Sequence, residues 1–463
     1  MKKLILENFL SPGDIVMLTA AVRDLHKCYP GQFQTDVRTP FNHIWENNPY
    51  ITSLNESDSD VEIIECHYPL IQKSNDLPFH FIHGFIEFLN GRLDLKITPT
   101  LFKGDLHLSL IEKSRVSRVQ ELCNEDIPFW IVVAGGKNDF TVKWWDANRF
   151  QEVIDYFYGK IAFIQVGSAD HHHPPLKNVI DLRGQTDLRQ LIHLVYHSKG
   201  VLSPVTFLMH LAAAVEFKGD TSRNRPCVVV AGGREPPQWE AYPSHQFIHT
   251  VGSLPCCATG GCWKSRTLPI GDGDNNDRPE NLCKNVVGTL PYCMDMITSE
   301  EVIRRIETYF DGSISTYLDR NQAEKIDRSM NPPRLDSINK LSISTSFANP
   351  SDLLVDVPRF LANSKSQSET AVATELMHGI FAYGREGHNS RRLEFLSDGR
   401  IGEGAGGCEV YWDVKEVEGK INLYISSERQ LTCILERLKK NIWIGQWFRF
   451  KQMPMKLYFQ VRP

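Results

Sequence analysis

The chain has 463 residues, of which 41% are hydrophobic and 23% charged, and it carries a formal net charge of -5. It is too long for one hydrophobic core and ordinary in composition for a soluble globular protein, so two or three domains are expected. The mildly acidic balance, with no basic stripe, excludes the electrostatic footprint of a nucleic-acid-binding protein.

The opening MKKLILENFLSPGDI holds a short apolar run closed at once by an acid and a Pro-Gly pair. That run is far shorter than the apolar core of a signal peptide and reads as a first strand. No stretch approaches the ~18 unbroken apolar residues of a membrane span, so a cytoplasmic protein without a transmembrane segment is expected. After the turn Ser11-Pro12-Gly13-Asp14, the run IVMLTAAVRDLHKCYP places Ile15, Leu18, Ala21, Val22 and Leu25 on one helical face, ended by Pro30-Gly31. This strand-loop-helix unit opens a first α/β domain, residues 1–125.

A second α/β run begins near Ile127. PFWIVVAGG, IAFIQVG, GVLSPV and PCVVVAGG read as strands, with RFQEVIDYF, LRQLIHLVYHS and FLMHLAAAVEF as the helices between them. Apolar strands without alternation predict a parallel sheet covered on both faces. Two such halves, 1–125 and 126–311, imply two Rossmann-like domains facing a cleft where ligands bind. A capping box at Thr298 starts one more helix, TSEEVIRRIETYF. Residues 312–370, rich in Ser, Asn and Asp, read as a linker with a short helix. From 371 to 463 the pattern turns to period two (GIFAYG, RRLEFL, CEVYWDV, KINLYIS, LTCILERL, WIGQWFRF, MKLYFQV), which predicts a separate all-β sandwich or barrel.

Asp14 falls at the carboxyl end of the first strand, where it either caps the following helix or serves as a general base. Gly135 and Gly136 either let a ligand approach the backbone closely or form a turn. Asp170 is a candidate contact for a nucleotide ribose, against a solvated loop acid. Thr206 begins a helix whose amides can face a phosphate, and His210, one turn inside it, either reaches that phosphate or packs. Arg234 and Glu235, closing a strand in Gly232-Gly233-Arg234-Glu235-Pro236, are candidate donor contacts against surface-turn residues.

Several of these features occur in a familiar order. GDIVMLTAAVRDLHKCYPG followed by ENNPYI, then Lys143-Trp144-Trp145 leading through Arg149-Phe150, then Asp181-Leu182-Arg183-Gly184-Gln185-Thr186 and Met209-His210-Leu211-Ala212-Ala213-Ala214, together resemble the heptosyltransferases of glycosyltransferase family nine. The resemblance covers roughly residues 3 to 310. It implies the two-domain GT-B arrangement and a nucleotide-linked heptose donor, ADP-heptose in the first instance. The acceptor would be a hydroxyl on protein or glycan. It also implies Asp14 as the base, Gly13 beside it at the donor, and Lys143 as the cation on the diphosphate. The chain departs from the pattern at Val205-Thr206-Phe207, where the family has Asp-Thr-Gly. That change resembles the autotransporter heptosyltransferase branch, which transfers heptose onto proteins and carries a cysteine-bound iron. A homo-oligomer is compatible with it. The rival readings are a non-catalytic sugar-binding or scaffolding protein on the same fold, and a nucleotide-sugar epimerase, which needs additional acids and a histidine at the cleft.

Five of the eleven cysteines, Cys256, Cys257, Cys262, Cys283 and Cys293, crowd into one window, while Cys28, Cys66, Cys123, Cys227, Cys408 and Cys433 are scattered. Clustered thiolates suit zinc or iron, in a structural site that pins a loop over the cleft. Buried free thiols and a redox role are the alternatives. Adjacent side chains rarely reach one ion together, so the expected set is Cys257, Cys262, Cys283 and Cys293, with Cys256 as alternative to its neighbour. The run Asp272-Gly273-Asp274-Asn275-Asn276-Asp277 reads as a solvated turn, and His171-His172-His173 before Pro174-Pro175 as an exposed loop. In the β-module, Tyr411, Trp412, Trp443, Trp447, Phe448 and Tyr458 suit either a sugar-stacking face or an ordinary core.

Overall fold

The structure, a computed structural model, describes residues 1–330, 366–385, 390–402, 409–417, 419–427, 431–439, 442–447 and 453–460. The chain divides into two compact units, Met1–Ile338 and Asn339–Pro463. Most of the expected linker (residues 331–365), with Cys408 and Phe448, lies outside the described residues.

In the first unit, strand β1 (Lys2–Glu7) leads through the Ser11 turn into α1 (Pro12–Cys28), then β2 (Phe33–Arg38) and β3 (Val61–Glu65). These form a three-stranded parallel sheet in the order β2-β1-β3. Helices α2 (Ile82–Leu93), α3 (Leu110–Ser114) and α4 (Arg118–Cys123) complete this half. Helix α1 does not show the single apolar face expected from its spacing: every residue from Ile15 to Leu25 is buried. The helix is enclosed by the sheet, by α2 and by the chain around residues 101–105. Its polar members are satisfied inside the protein. Arg23 bonds Asp24 at 2.9 Å and donates to the carbonyls of Lys103 (2.7 Å) and Leu101 (2.8 Å), as a buried charge must.

The second half runs β4 (Phe129–Val132), α5 (Ala147–Tyr156), β5 (Ala162–Gln165), β6 (Ile180–Asp181), α6 (Leu188–His197), β7 (Gly200–Pro204), α7 (Phe207–Ala214), β8 (Cys227–Gly232), α8 (Pro237–Glu240) and β9 (His245–His249). All six strands are parallel, in the order β6-β5-β4-β7-β8-β9. The direction of winding therefore reverses between β4 and β7, and the carboxyl ends of those two strands border the crevice that such a reversal opens. The apolar strands are covered on both faces, as their composition predicts. One face shares a continuous core with the β1–β3 half, running from Leu4, Val16 and Phe85 to Ile131, Val205 and Trp239. The other face packs on α5 and on α10 (Ser299–Asp311).

The cysteine-rich segment after β9 carries the two-residue strands β10 (Val286–Val287) and β11 (Leu290–Pro291), followed by α9 (Tyr292–Asp295). Thr298 caps α10 by accepting from the Glu301 amide at 3.3 Å. The Glu301 carboxylate pairs with Arg304 and Arg305. A further helix, α11 (Arg320–Met330), lies in the segment expected to be a linker with a short helix.

In the second unit the period-two runs form β12 (Ile380–Arg385), β13 (Ser390–Glu394), β14 (Tyr411–Val417), β15 (Lys420–Ser426), β16 (Leu431–Lys439), β17 (Ile442–Trp447) and β18 (Met453–Gln460). They make one antiparallel sheet, ordered β13-β12-β18-β17-β16-β15-β14. Bridges at Phe395–Ile401 and Arg400–Tyr411 link its two edge strands, so the sheet curls toward closure rather than splitting into a sandwich. The helix Gln367–Met377 contributes Val372, Ala373 and Leu376 to its core. Trp412 and Trp443 are core residues at 4% and 1% exposure, which leaves neither on a sugar-stacking face.

Candidate functional site

Asp14 lies in the first turn of α1, just past the carboxyl end of β1, and Lys143 ends the 3-10 turn that follows β4. The fold brings these two half-buried residues, from different halves, into one cluster with the buried Arg234, Glu235 and His210. Lys143 Nζ is 2.8 Å from Glu235 Oε1. The same oxygen pairs with the Arg234 guanidinium, whose Nε donates to the Lys264 carbonyl at 2.6 Å. Phe140 lies under both cations, 5.4 Å from Lys143 Nζ and 4.8 Å from the Arg234 guanidinium. Glu240, at the end of α8, joins them as a second buried carboxylate.

Burial dominates the electrostatics here. It raises the Asp14 carboxyl above its ordinary value, against the opposing pull of a Tyr68 hydrogen bond and the Lys143 charge. Burial likewise raises Glu240. It lowers Lys143 to about 8, helped by Arg234 and opposed by Glu240 and Asp14. His210, brought down to about 3 mainly by burial, is neutral and hydrogen-bonded through Nδ1 to the Tyr242 hydroxyl at 2.6 Å. Gly13 makes room for that imidazole: a β-carbon there would stand 3.1 Å from His210 Cδ2.

The remaining candidates separate from this cluster. At Gly135, φ is +125°, and a β-carbon would come within 2.0 Å of the His172 carbonyl oxygen. The chain's own 171–173 loop therefore occupies the space beside Gly135 and Gly136. Gly136 and His172 exchange backbone hydrogen bonds at 2.9 and 3.1 Å, and the Trp144 indole stacks on the His172 ring. That loop is not simply exposed, because its backbone pairs with Gly136 beyond the end of β4. Asp170, just before it, is exposed. Thr206 is the N-terminal cap residue of α7, its hydroxyl 2.7 Å from Ser203 Oγ, and Val205 is buried in the core at 3% exposure.

Sequence reasoning missed Tyr68 and Glu240. Tyr68 sits in the loop after β3 with no motif around it, and Glu240 ends a single helical turn. Only their shared proximity to Asp14 and Lys143 marks them.

All five clustered cysteines line one pocket, together with Arg234, Lys264 and Lys284. None is in a disulfide. Among the described residues no three His, Cys, Asp or Glu side chains are arranged to hold a metal ion. The thiols are still near neighbours: Cys293, raised to about 12 chiefly by burial, is raised further by Cys262, Cys283 and Cys256. Cys257 Sγ instead lies 3.6 Å from the Thr250 carbonyl oxygen as a donor. The loop is stitched to the site, with Cys262 N donating to Gly233 O and Trp263 N to Arg234 O, each at 3.1 Å.

The chain is similar to solved glycosyltransferases of family nine. The family nine enzyme of Veillonella parvula aligns at 14% identity and a TM-score of 0.45, over 67% of this chain and 98% of that one. The ADP-heptose lipopolysaccharide heptosyltransferase II of E. coli aligns at 16% and 0.43, over 68% and 100%. The iron-containing dodecameric glycosyltransferase TibC of enterotoxigenic E. coli aligns at 16% and 0.47, over 67% and 76%. No family model and no curated protein matches the sequence. Among the described residues no helix is long and apolar enough to cross a membrane.

Proposed function

We propose that the chain is an inverting glycosyltransferase that moves a heptose, or a similar sugar, from a nucleotide-sugar donor to a hydroxyl on protein or glycan. In this reading both α/β halves are Rossmann-like, and ADP-heptose is the donor. The observation that carries it is the meeting of Asp14, after β1, and Lys143, in the segment that follows β4, beside the buried Arg234, Glu235 and Glu240. Inverting transfer is one displacement. Asp14 takes the proton of the acceptor hydroxyl, whose oxygen attacks the anomeric carbon on the face opposite the leaving diphosphate. The diphosphate gains negative charge as the glycosidic bond breaks. Lys143 and the amides at the start of α7 stabilise it, with Lys143 exchanging Glu235 for a phosphate oxygen.

The donor set of the cysteine pocket fits a soft metal. Four thiolates on a divalent ion carry two net negative charges, and Arg234, Lys264 and Lys284 line the same space. Cys262, Cys283 and Cys293 with Cys256, or with Cys257 in its place, would hold zinc or iron. The metal would pin the 256–264 loop against Gly233 and Arg234 and supply no step of the chemistry.

Thermal-shift titration with ADP-heptose, ADP, UDP and GDP tests the reading, because a ligand that binds only the folded state raises the melting temperature. A shift with the adenosine compounds, retained in Asp14→Asn while transfer is lost, is expected. No shift with any nucleotide overturns it, and binding without turnover in the native protein favours the scaffolding alternative. The buried Glu240 and His210 beside Asp14 also suit an epimerase. That enzyme would release an isomerised nucleotide sugar with no acceptor present.

A further inference from the structure

Glu235 and Glu240 are buried at 1% and 4% exposure, and the Oε2 atom of each has no hydrogen-bond partner. Glu235 uses its other oxygen on Lys143 and Arg234. A buried carboxylate oxygen without a donor is costly, so two of them around the same pair of cations, Lys143 and Arg234, suit an occupant rich in O–H or cationic groups.

We infer that these two carboxylates, Glu240 foremost, grip the hydroxyl groups of the donor sugar. The inference rests on the transferase reading and names how the sugar is held. Glu240 ends α8, which is fixed across the junction of the two halves. The Phe81 amide donates to the Trp239 carbonyl at 2.7 Å, Gln238 Nε2 donates to the Ser74 carbonyl at 2.7 Å, and the Trp239 indole stacks on Phe81 at 5.0 Å. So anchored, Glu240 faces the Lys143, Arg234 and Asp14 charges together. Asp14 must stand on the acceptor side of the anomeric carbon and Lys143 on the diphosphate side. On this inference the sugar lies between them. A carboxylate accepts from neighbouring hydroxyls of one ring through both oxygens, so Glu240 and Glu235 Oε2 gain donors when the sugar enters.

The test measures binding of ADP and of ADP-heptose, by calorimetry, to the native protein, Glu240→Gln and Glu240→Asp, with manganese chloride alone as a control. ADP lacks the sugar, so its affinity should stay within about twofold in Glu240→Gln, which also reports that the variant is folded. Affinity for ADP-heptose should fall about tenfold or more, and Glu240→Asp should recover part of it. Equal loss of both ligands overturns the inference, as does retention of both. Manganese binding to the native protein that disappears in Glu240→Gln overturns it in favour of a cation site. Failure of the native protein to bind either nucleotide removes the transferase reading itself, an outcome distinct from the others.

Discussion

Burial and local partners act in opposite senses on Asp14. Desolvation raises its carboxyl, while the Tyr68 hydroxyl and the Lys143 ammonium favour the carboxylate. A general base works only when deprotonated, so the rate should fall as pH drops through the raised Asp14 value. Tyr68→Phe removes the hydrogen bond that lowers Asp14. The acid limb of the pH–rate profile should then move up, by about half a unit or more, since a unit corresponds to about 1.4 kcal/mol of differential interaction. An unmoved limb would mean that Asp14 is not the group titrating. Asp14 was readable as a candidate because it stands in the turn after the first strand, whereas Gly13 and Lys143 were marked only by the family resemblance, Lys143 lying well beyond β4 at the end of a 3-10 turn. Glu240 and Tyr68 were not legible, because what places them is the approach of α8 and the β3–α2 loop to α1 across a long chain separation.

At the scale of elements, the cysteine loop owes its position to Gly233 and Arg234, whose carbonyls bond Cys262 N and Trp263 N. The spacing of the thiols announced a shared site. It favoured Cys257 over the adjacent Cys256, whereas in the structure Cys257 turns to the Thr250 carbonyl and Cys256 lies with Cys262 and Cys283 near Cys293, a choice the local backbone makes. The proposed metal predicts about one equivalent of zinc or iron in protein purified without added metal. Chelation, or Cys283→Ser, should lower the melting temperature by roughly 4 °C or more, a cost of order 1–2 kcal/mol. Protein with no bound metal and an unchanged melting temperature in Cys283→Ser would leave the cluster as packed thiols. Helix α1 carries a different lesson. Its period marked a helix and its apolar positions, yet Thr19, Arg23 and Asp24 are buried as well. Their distant partners, at residues 100–105, lie too far along the chain for periodicity to reveal.

For the whole molecule, the units Met1–Ile338 and Asn339–Pro463 each hold their own apolar core. Residues 1–338 expressed alone should therefore fold cooperatively and keep the ADP-dependent thermal shift, as circular dichroism and titration would show. Loss of the shift in a folded fragment would place part of the nucleotide site in the β-module. The change from long apolar strands spaced by helices to period-two runs near residue 371 was enough to separate parallel from antiparallel architecture. A strand covered on two faces must be apolar throughout, whereas a strand in a curled single sheet alternates. Local pattern thus determined the kinds of element, their order and the residues at the carboxyl ends of the strands. Tertiary structure alone decided that the two α/β halves share one core, that Trp412 and Trp443 turn inward, and that Asp14, Lys143, Glu235 and Glu240 meet. The reason is physical: periodicity records which face of an element avoids water, while the charge partners of a buried side chain are chosen by whichever distant segment fills the neighbouring space.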